Sequence, residues 1–264
     1  MGEAIVVTSG KGGVGKSTTS CNIGVSLALS DKKVCLVDTD IGLRNLDVLL
    51  GLENRIVFDL VDVIEENCLL SQALIKDQRC EELYLLPSAQ AKDKSAVSAT
   101  QINRLISQLK EQFDYVIVDC PAGIERGFKN AIRGAERAIV VTTAENTSVR
   151  DADRVIGLLE KEKIAPPKLI INRLRPKMIK NGGMMDIDEV TALLAIDLLG
   201  VVPEDEEIIR AGNLGEPLVF STRSPASRAF YNIARRIQGE SIPLLTFDRE
   251  KKMVTKMKKW LGFA

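Results

Sequence analysis

Gly10-Lys11-Gly12-Gly13-Val14-Gly15-Lys16-Ser17 is the stretch whose reading decides the fold. It fits G-x-x-x-x-G-K-[ST], a loop whose glycines let backbone N–H groups curl around phosphate oxygens while the next helix offers its positive end. In that reading Lys16 reaches the β- and γ-phosphates, the Ser17 hydroxyl ligates Mg²⁺, and Gly10 through Thr18 form the phosphate cradle. The same residues also satisfy G-x-G-x-x-G through Gly10, Gly12 and Gly15, and Asp38 would then serve as the ribose acid of a dinucleotide fold. Lys16-Ser17 is what that alternative does not require. Tyr115-Val-Ile-Val-Asp119 settles the choice, because an apolar strand ending in an acid is the form of a Walker B, whose Asp holds the magnesium. A carboxylate at a strand end is often only a cap. Here a phosphate loop lies upstream at the right place in the βα order.

Working outward, apolar runs at 4–9, 33–38, 83–87, 115–119, 138–142, 168–172 and 198–202 read as buried strands, several nearly continuous in Val, Ile and Leu. Amphipathic stretches such as 102–112 and 148–163 lie between them. The rhythm predicts one doubly wound α/β domain over 1–238, a mostly parallel sheet with helices on both faces. Residues 239–249, with Pro243 inside, read as a linker to a separate helix over 250–264.

Composition removes whole classes of chemistry. The chain of 264 residues has no histidine, which excludes Ser-His-Asp triads and histidine metal ligands. Its 36 basic and 36 acidic side chains balance, so no global field argues for a specific nucleic acid. Five cysteines, none spaced as CxxC, argue against a zinc or iron–sulfur site within one chain and suggest reduced thiols in a reducing compartment. No apolar run approaches the roughly 20 residues of a membrane-spanning helix.

Three stretches are more specific than an ordinary P-loop. Lys11-Gly-Gly-Val-Gly-Lys16-Ser17, with its extra early lysine, Asp38-Thr-Asp40-Ile-Gly42-Leu43-Arg44-Asn45-Leu46-Asp47, and Asp119-Cys-Pro121-Ala-Gly123-Ile resemble the deviant Walker A, switch I and switch II of the ParA/MinD family. Ser148-Val-Arg-Asp-Ala-Asp153-Arg and Val202-Pro-Glu-Asp205 match as well, so the likeness covers almost the whole chain. The resemblance implies an ATPase that forms a homodimer around ATP and Mg²⁺. Lys11 would cross to the partner's nucleotide, in the manner of an arginine finger. The bland reading of Lys11 is a solvated loop lysine. Asp40 is implied in the hydrolytic role and, with Ser17 and Asp119, at the metal, with Asp38 behind it. Asn172 and Arg173 resemble the adenine-reading position, with Pro203, Glu204 and Asp205 as the opposite wall. N-K-x-D, the guanine discriminator, is absent, which favours ATP over GTP.

The last fifteen residues read as a basic amphipathic helix. Met253, Val254, Met257, Trp260 and Leu261 fall on one stripe, and Lys252, Lys256 and Lys259 are among the lysines on the remaining surface. Such a helix suits an anionic membrane surface, with the indole at the headgroups. A terminal helix packed on the body, or one seated in a protein groove, are the other readings. The resemblance further implies a cytoplasmic or plastid-stromal ATPase, peripheral on the inner membrane face, that recruits a MinC-like division inhibitor and is stimulated by a MinE-like topological factor. Asp151 and Asp153, on the predicted helix at 148–163, are the candidate partner contacts. A flagellar-number ATPase and a ParA-type DNA-partitioning ATPase are the alternatives inside the family. A small-molecule P-loop kinase, which gives no reason for Lys11 or the tail, is the alternative outside it.

Overall fold

The computed structural model describes residues 1–90, 97–124, 126–221 and 224–245. Eight strands form one sheet: β1 (Glu3–Thr8), β2 (Val34–Asp38), β3 (Ile75–Lys76), β4 (Leu83–Leu86), β5 (Tyr115–Asp119), β6 (Arg137–Thr143), β7 (Lys168–Leu174) and β8 (Leu198–Pro203). Their order is β3-β4-β2-β5-β1-β6-β7-β8, all neighbours parallel except the β3–β4 pair. The seven strands expected from the apolar runs are all present. β3 is the addition, a two-residue edge too short to register as a periodic pattern.

Both faces of the sheet are covered, which is why the central strands are apolar at every position rather than alternating. Ala4, Val6, Val116, Val118 and Val140 join one cluster, with the helices Ala99–Lys110, Asn146–Lys161 and Ile187–Leu194. Ile5, Val7, Leu36 and Ile117 join the other, against the helices Lys16–Ala28 and Pro225–Ile237. The expected helices at 102–112 and 148–163 begin a few residues earlier than their apolar stripes suggest. A capping box of Ser98 and Gln101 starts the first of them, so polar residues rather than the stripe set its boundary.

The last described helix ends at Ile237, beside Gly239 at φ +91°. Arg236 donates to the carbonyls of Ile242 and Pro243, and Leu245 packs against the second cluster. The described part of the expected linker therefore runs along the body. Residues 250–264, with all the membrane candidates from Lys252 to Leu261, lie outside the described residues.

Candidate active site

The order of the sheet brings the chemistry together. β5 lies between β1 and β2, so the carboxyl ends of these three strands are adjacent, and Asp38 and Asp119 stand side by side in register. Crevices beyond the carboxyl ends of parallel strands are where open α/β sheets bind ligands. The phosphate loop leaves β1 here and enters the helix Lys16–Ala28 through Gly15.

Gly15 is the position where glycine is required. Its φ is +90°, and a Cβ there would sit 2.2 Å from the Asn172 side-chain nitrogen. Asn172 Nδ2 in turn donates to Val14 O at 2.8 Å, so the end of β7 buttresses the loop. Gly10 is equally confined, since a Cβ would lie 2.1 Å from Asp151 O on the helix Asn146–Lys161. Gly12 and Gly13 face open space and Lys11 is exposed, so the outer half of the loop is a free surface. Thr18 is half-buried one position beyond Ser17.

Asp119 is fully buried at the centre of a knot. Its Oδ1 pairs with Lys16 Nζ at 2.8 Å and accepts from Ser20 Oγ at 2.7 Å, while Oδ2 accepts from Ser17 Oγ at 2.6 Å. Lys16 Nζ also lies 3.2 Å from Ser17 Oγ. The sequence motifs predicted Lys16, Ser17 and Asp119; Ser20 escaped them. Its signal is spacing, because residues 16, 17 and 20 share one helical face. Thr39 was missed too. Its N–H and its Oγ1 both donate to Asp119 O, at 3.1 and 2.7 Å, which ties switch I to the Walker B strand.

Switch I is organised by Asp38. Its Oδ1 accepts from the Asp40 N–H at 3.0 Å, and its Oδ2 from the N–H groups of Asn45 and Leu46 at 3.1 and 3.2 Å. Burial and the neighbouring Asp119 carboxylate push the Asp38 acid up to about 7, against those three N–H groups, which pull it down. Asp40 is buried in the same loop, and Gly42 N–H donates to Ala89 O. Arg44 pairs with the buried Asp47, closing the turn into the short helix Leu46–Leu50. In switch II, Gly123 N–H donates to Ser9 O at 3.0 Å. The oxygen donors offered by Ser17, Asp40 and Asp119 are hard and anionic or polar, the set a magnesium ion prefers.

Asn172 is buried at the loop as expected, and its Oδ1 has no hydrogen-bond partner among the described residues. Arg173 is exposed and held in the left-handed region at φ +53°. Pro203 ends β8. Glu204 pairs with Arg175, and Asp205 caps the helix Glu206–Asn213 and accepts from Ser224 Oγ. These side chains thus already have structural tasks. Asp151 is half-buried against Gly10 of the loop, and Asp153 is exposed two residues further along the same helix. Among the described residues no helix is long and apolar enough to cross a membrane.

The chain is similar to known proteins over most of its length. The ParA family model, described as an NUBPL iron-transfer P-loop NTPase, matches residues 1–238. The septum site-determining protein MinD of Bacillus subtilis is 59% identical over 265 residues, which covers 99% of each chain. Among solved structures, a chain of the MinC:MinD cell division complex of Aquifex aeolicus is 45% identical with a TM-score of 0.87, covering 92% of this chain and 99% of that one. The Pyrococcus horikoshii septum site-determining MinD, solved with Mg-ADP, is 29% identical with a TM-score of 0.81, covering 90% and 96%.

Proposed function

The chain belongs to the ParA/MinD family of P-loop ATPases, and from that premise we propose that it is an ATP-driven membrane switch in division-site placement. Its activity is ATP hydrolysis with Mg²⁺, its role is positioning the septum, and a MinC division inhibitor is its partner. Dimerisation on ATP, docking through residues 250–264 and stimulation by a MinE-like factor are the further steps of the proposal.

The observation that carries it is the Lys16–Asp119–Ser17 knot at the mouth of the phosphate loop. Lys16 supplies positive charge for the β- and γ-phosphates, and the loop amides from Gly10 to Thr18 take the remaining oxygens. Ser17, Asp119 and Asp40 would hold the magnesium, which neutralises charge on the phosphates and fixes their orientation. Asp40 orients the attacking water, and Asp38 holds Asp40 through its N–H. Phosphoryl transfer rests on such positioning and charge neutralisation. Asn172 and Arg173, at the end of β7 beside the 203–205 turn of β8, form the base end of the site.

Lys11 projects from the exposed half of the loop, where Gly12 and Gly13 leave room for a second copy to approach. A lysine reaching the partner's γ-phosphate would then complete the charge of the transition state. One basic amphipathic tail binds an anionic surface weakly, but two tails on one dimer gain about 10²-fold through avidity. Hydrolysis would separate the pair and release both. Asp151, beside the loop, and Asp153, exposed on the same helix, are the contacts proposed for the partner.

Co-sedimentation with anionic liposomes tests this, with ADP and with ATP-γ-S, for the full chain and for one ending before Glu250. Binding in ATP-γ-S that vanishes on truncation is expected. Equal binding in the two nucleotides would refute the switch.

A further inference from the structure

The carbonyl end of the helix Leu46–Leu50 is held by a side chain that the nucleotide chemistry does not use. Arg79 lies in the loop between β3 and β4. Its Nη2 donates to Leu50 O at 2.5 Å and its Nη1 to Gly215 O at 3.0 Å. Asp77, only 1% exposed, aims the guanidinium by accepting from Nε at 3.1 Å and Nη2 at 2.7 Å. The ring of Phe220 supports it from below, 5.3 Å from the guanidinium carbon. Beside it the backbones of Gly51 and Gly215 meet so closely that a Cβ on Gly215 would lie 2.7 Å from Gly51 Cα.

At its other end the same helix is held by Asp38, which accepts from the N–H groups of Asn45 and Leu46. A carboxylate thus grips the amide end and a guanidinium the carbonyl end, the charge order that suits aligned peptide dipoles. The loop 39–45, which carries Asp40, is therefore strung between two fixed points, the end of β2 and the gripped helix.

We propose that Arg79 is a positioning residue for hydrolysis: by clamping the carbonyl end of the helix Leu46–Leu50 to the turn at Gly215, it sets the loop that presents Asp40 to the γ-phosphate. This deepens the ATPase reading and rests on it. Arg79 itself meets Asp77, Leu50, Gly215 and Phe220, none of them a nucleotide-binding candidate. Its loss should act on turnover rather than on affinity, because a displaced catalytic group costs rate even where binding contacts survive.

The test compares the full-length wild type with Arg79→Lys and Arg79→Ala. Three quantities are read: turnover at saturating MgATP, the Kd for a fluorescent MgADP analogue, and hydrogen exchange of the amides of residues 39–50. Turnover should fall about tenfold in Arg79→Ala and less in Arg79→Lys, which keeps the charge but cannot bridge two carbonyls while chelating Asp77. The MgADP Kd should stay within about twofold. The Asn45 and Leu46 amides should exchange faster while β1 and β5 keep their protection. Unchanged turnover in a folded Arg79→Lys variant overturns the proposal, whatever the exchange shows, and so does a loss of MgADP affinity parallel to the loss of rate. If Arg79→Ala does not fold, the lysine variant decides alone. A wild type without ATPase activity would sink the ATPase reading itself, and the exchange data would still report whether Arg79 holds the helix.

Discussion

Ser20 Oγ lies 2.7 Å from Asp119 Oδ1, inside the protein and one helical turn beyond Lys16 and Ser17. In the proposed reading Lys16 and Ser17 meet the nucleotide and its metal, whereas Ser20 is fully buried and, among the described residues, bonds Asp119 and the Lys16 carbonyl. It therefore fixes the orientation of the Walker B carboxylate. Ser20→Ala should raise the magnesium concentration needed for half-maximal binding of an ATP analogue about tenfold, as removal of an outer partner of a metal ligand does. Ser20→Thr, which keeps the hydroxyl, should recover most of it. A magnesium titration indistinguishable from wild type would remove Ser20 from the site.

Gly15 admits no side chain. The residue combines φ +90° with a 2.2 Å approach of its hypothetical Cβ to Asn172. Gly15→Ala should weaken nucleotide binding about fivefold or more, since the strained backbone and the displaced Asn172 together cost on the order of 1–3 kcal/mol. Fluorescence titration with an ADP analogue checks this, with Gly157→Ala, in open space on the helix Asn146–Lys161, as the control expected to remain close to wild type.

Asn172 is a buttress through its nitrogen. Asn172→Asp would replace the donor to Val14 O with an acceptor and place two oxygens against each other in a buried site. An unmet buried polar group costs roughly 1–3 kcal/mol, so calorimetric titration should show nucleotide affinity down by about tenfold or more. Wild-type affinity would mean that the loop does not depend on this contact.

The thiols differ sharply in access. Burial pushes all five thiols up, Cys21, Cys35 and Cys120 the furthest, and Cys80 is also buried, whereas Cys68 is half-exposed. Thiolate is the reactive form, so a disulfide reagent should modify one thiol rapidly in the native protein and the others only on unfolding. Cys68→Ser should abolish the rapid phase. Rapid reaction of a second thiol would reveal an opening of the core.

The fold was legible because its signals are local. An uninterrupted Val-Ile-Val before Asp119, or Ile-Val-Val before Thr8, can only be a strand buried on both sides, and the P-loop glycines announce the turn between β1 and its helix. The knot at Asp119 was half legible. Lys16, Ser17 and Asp119 stand in motifs, but Ser20 is an ordinary helical serine until β5 is folded against it. The grip of Arg79 could not have been read at all, because Leu50 and Gly215 lie 29 and 136 positions away and nothing in Asp77-Gln78-Arg79 marks a clamp. The short helix Leu46–Leu50 was hidden for the same reason, since a single turn has no periodicity to detect.

The ends of the sheet have a consequence of their own. An eight-stranded apolar sheet with open borders is a template on which a neighbouring molecule could add a strand and begin a fibre. At one border β3 is only two residues long, runs against its neighbour, and has the Lys76 carbonyl already taken by Arg55. At the other, Arg236 reaches across from the helix Pro225–Ile237 to occupy the Leu199 carbonyl of β8. Each border thus has an arginine on one of its free acceptors. If the proposed membrane docking crowds copies of this chain on a surface, both borders of the sheet are thereby guarded against edge-to-edge pairing by the same residue type.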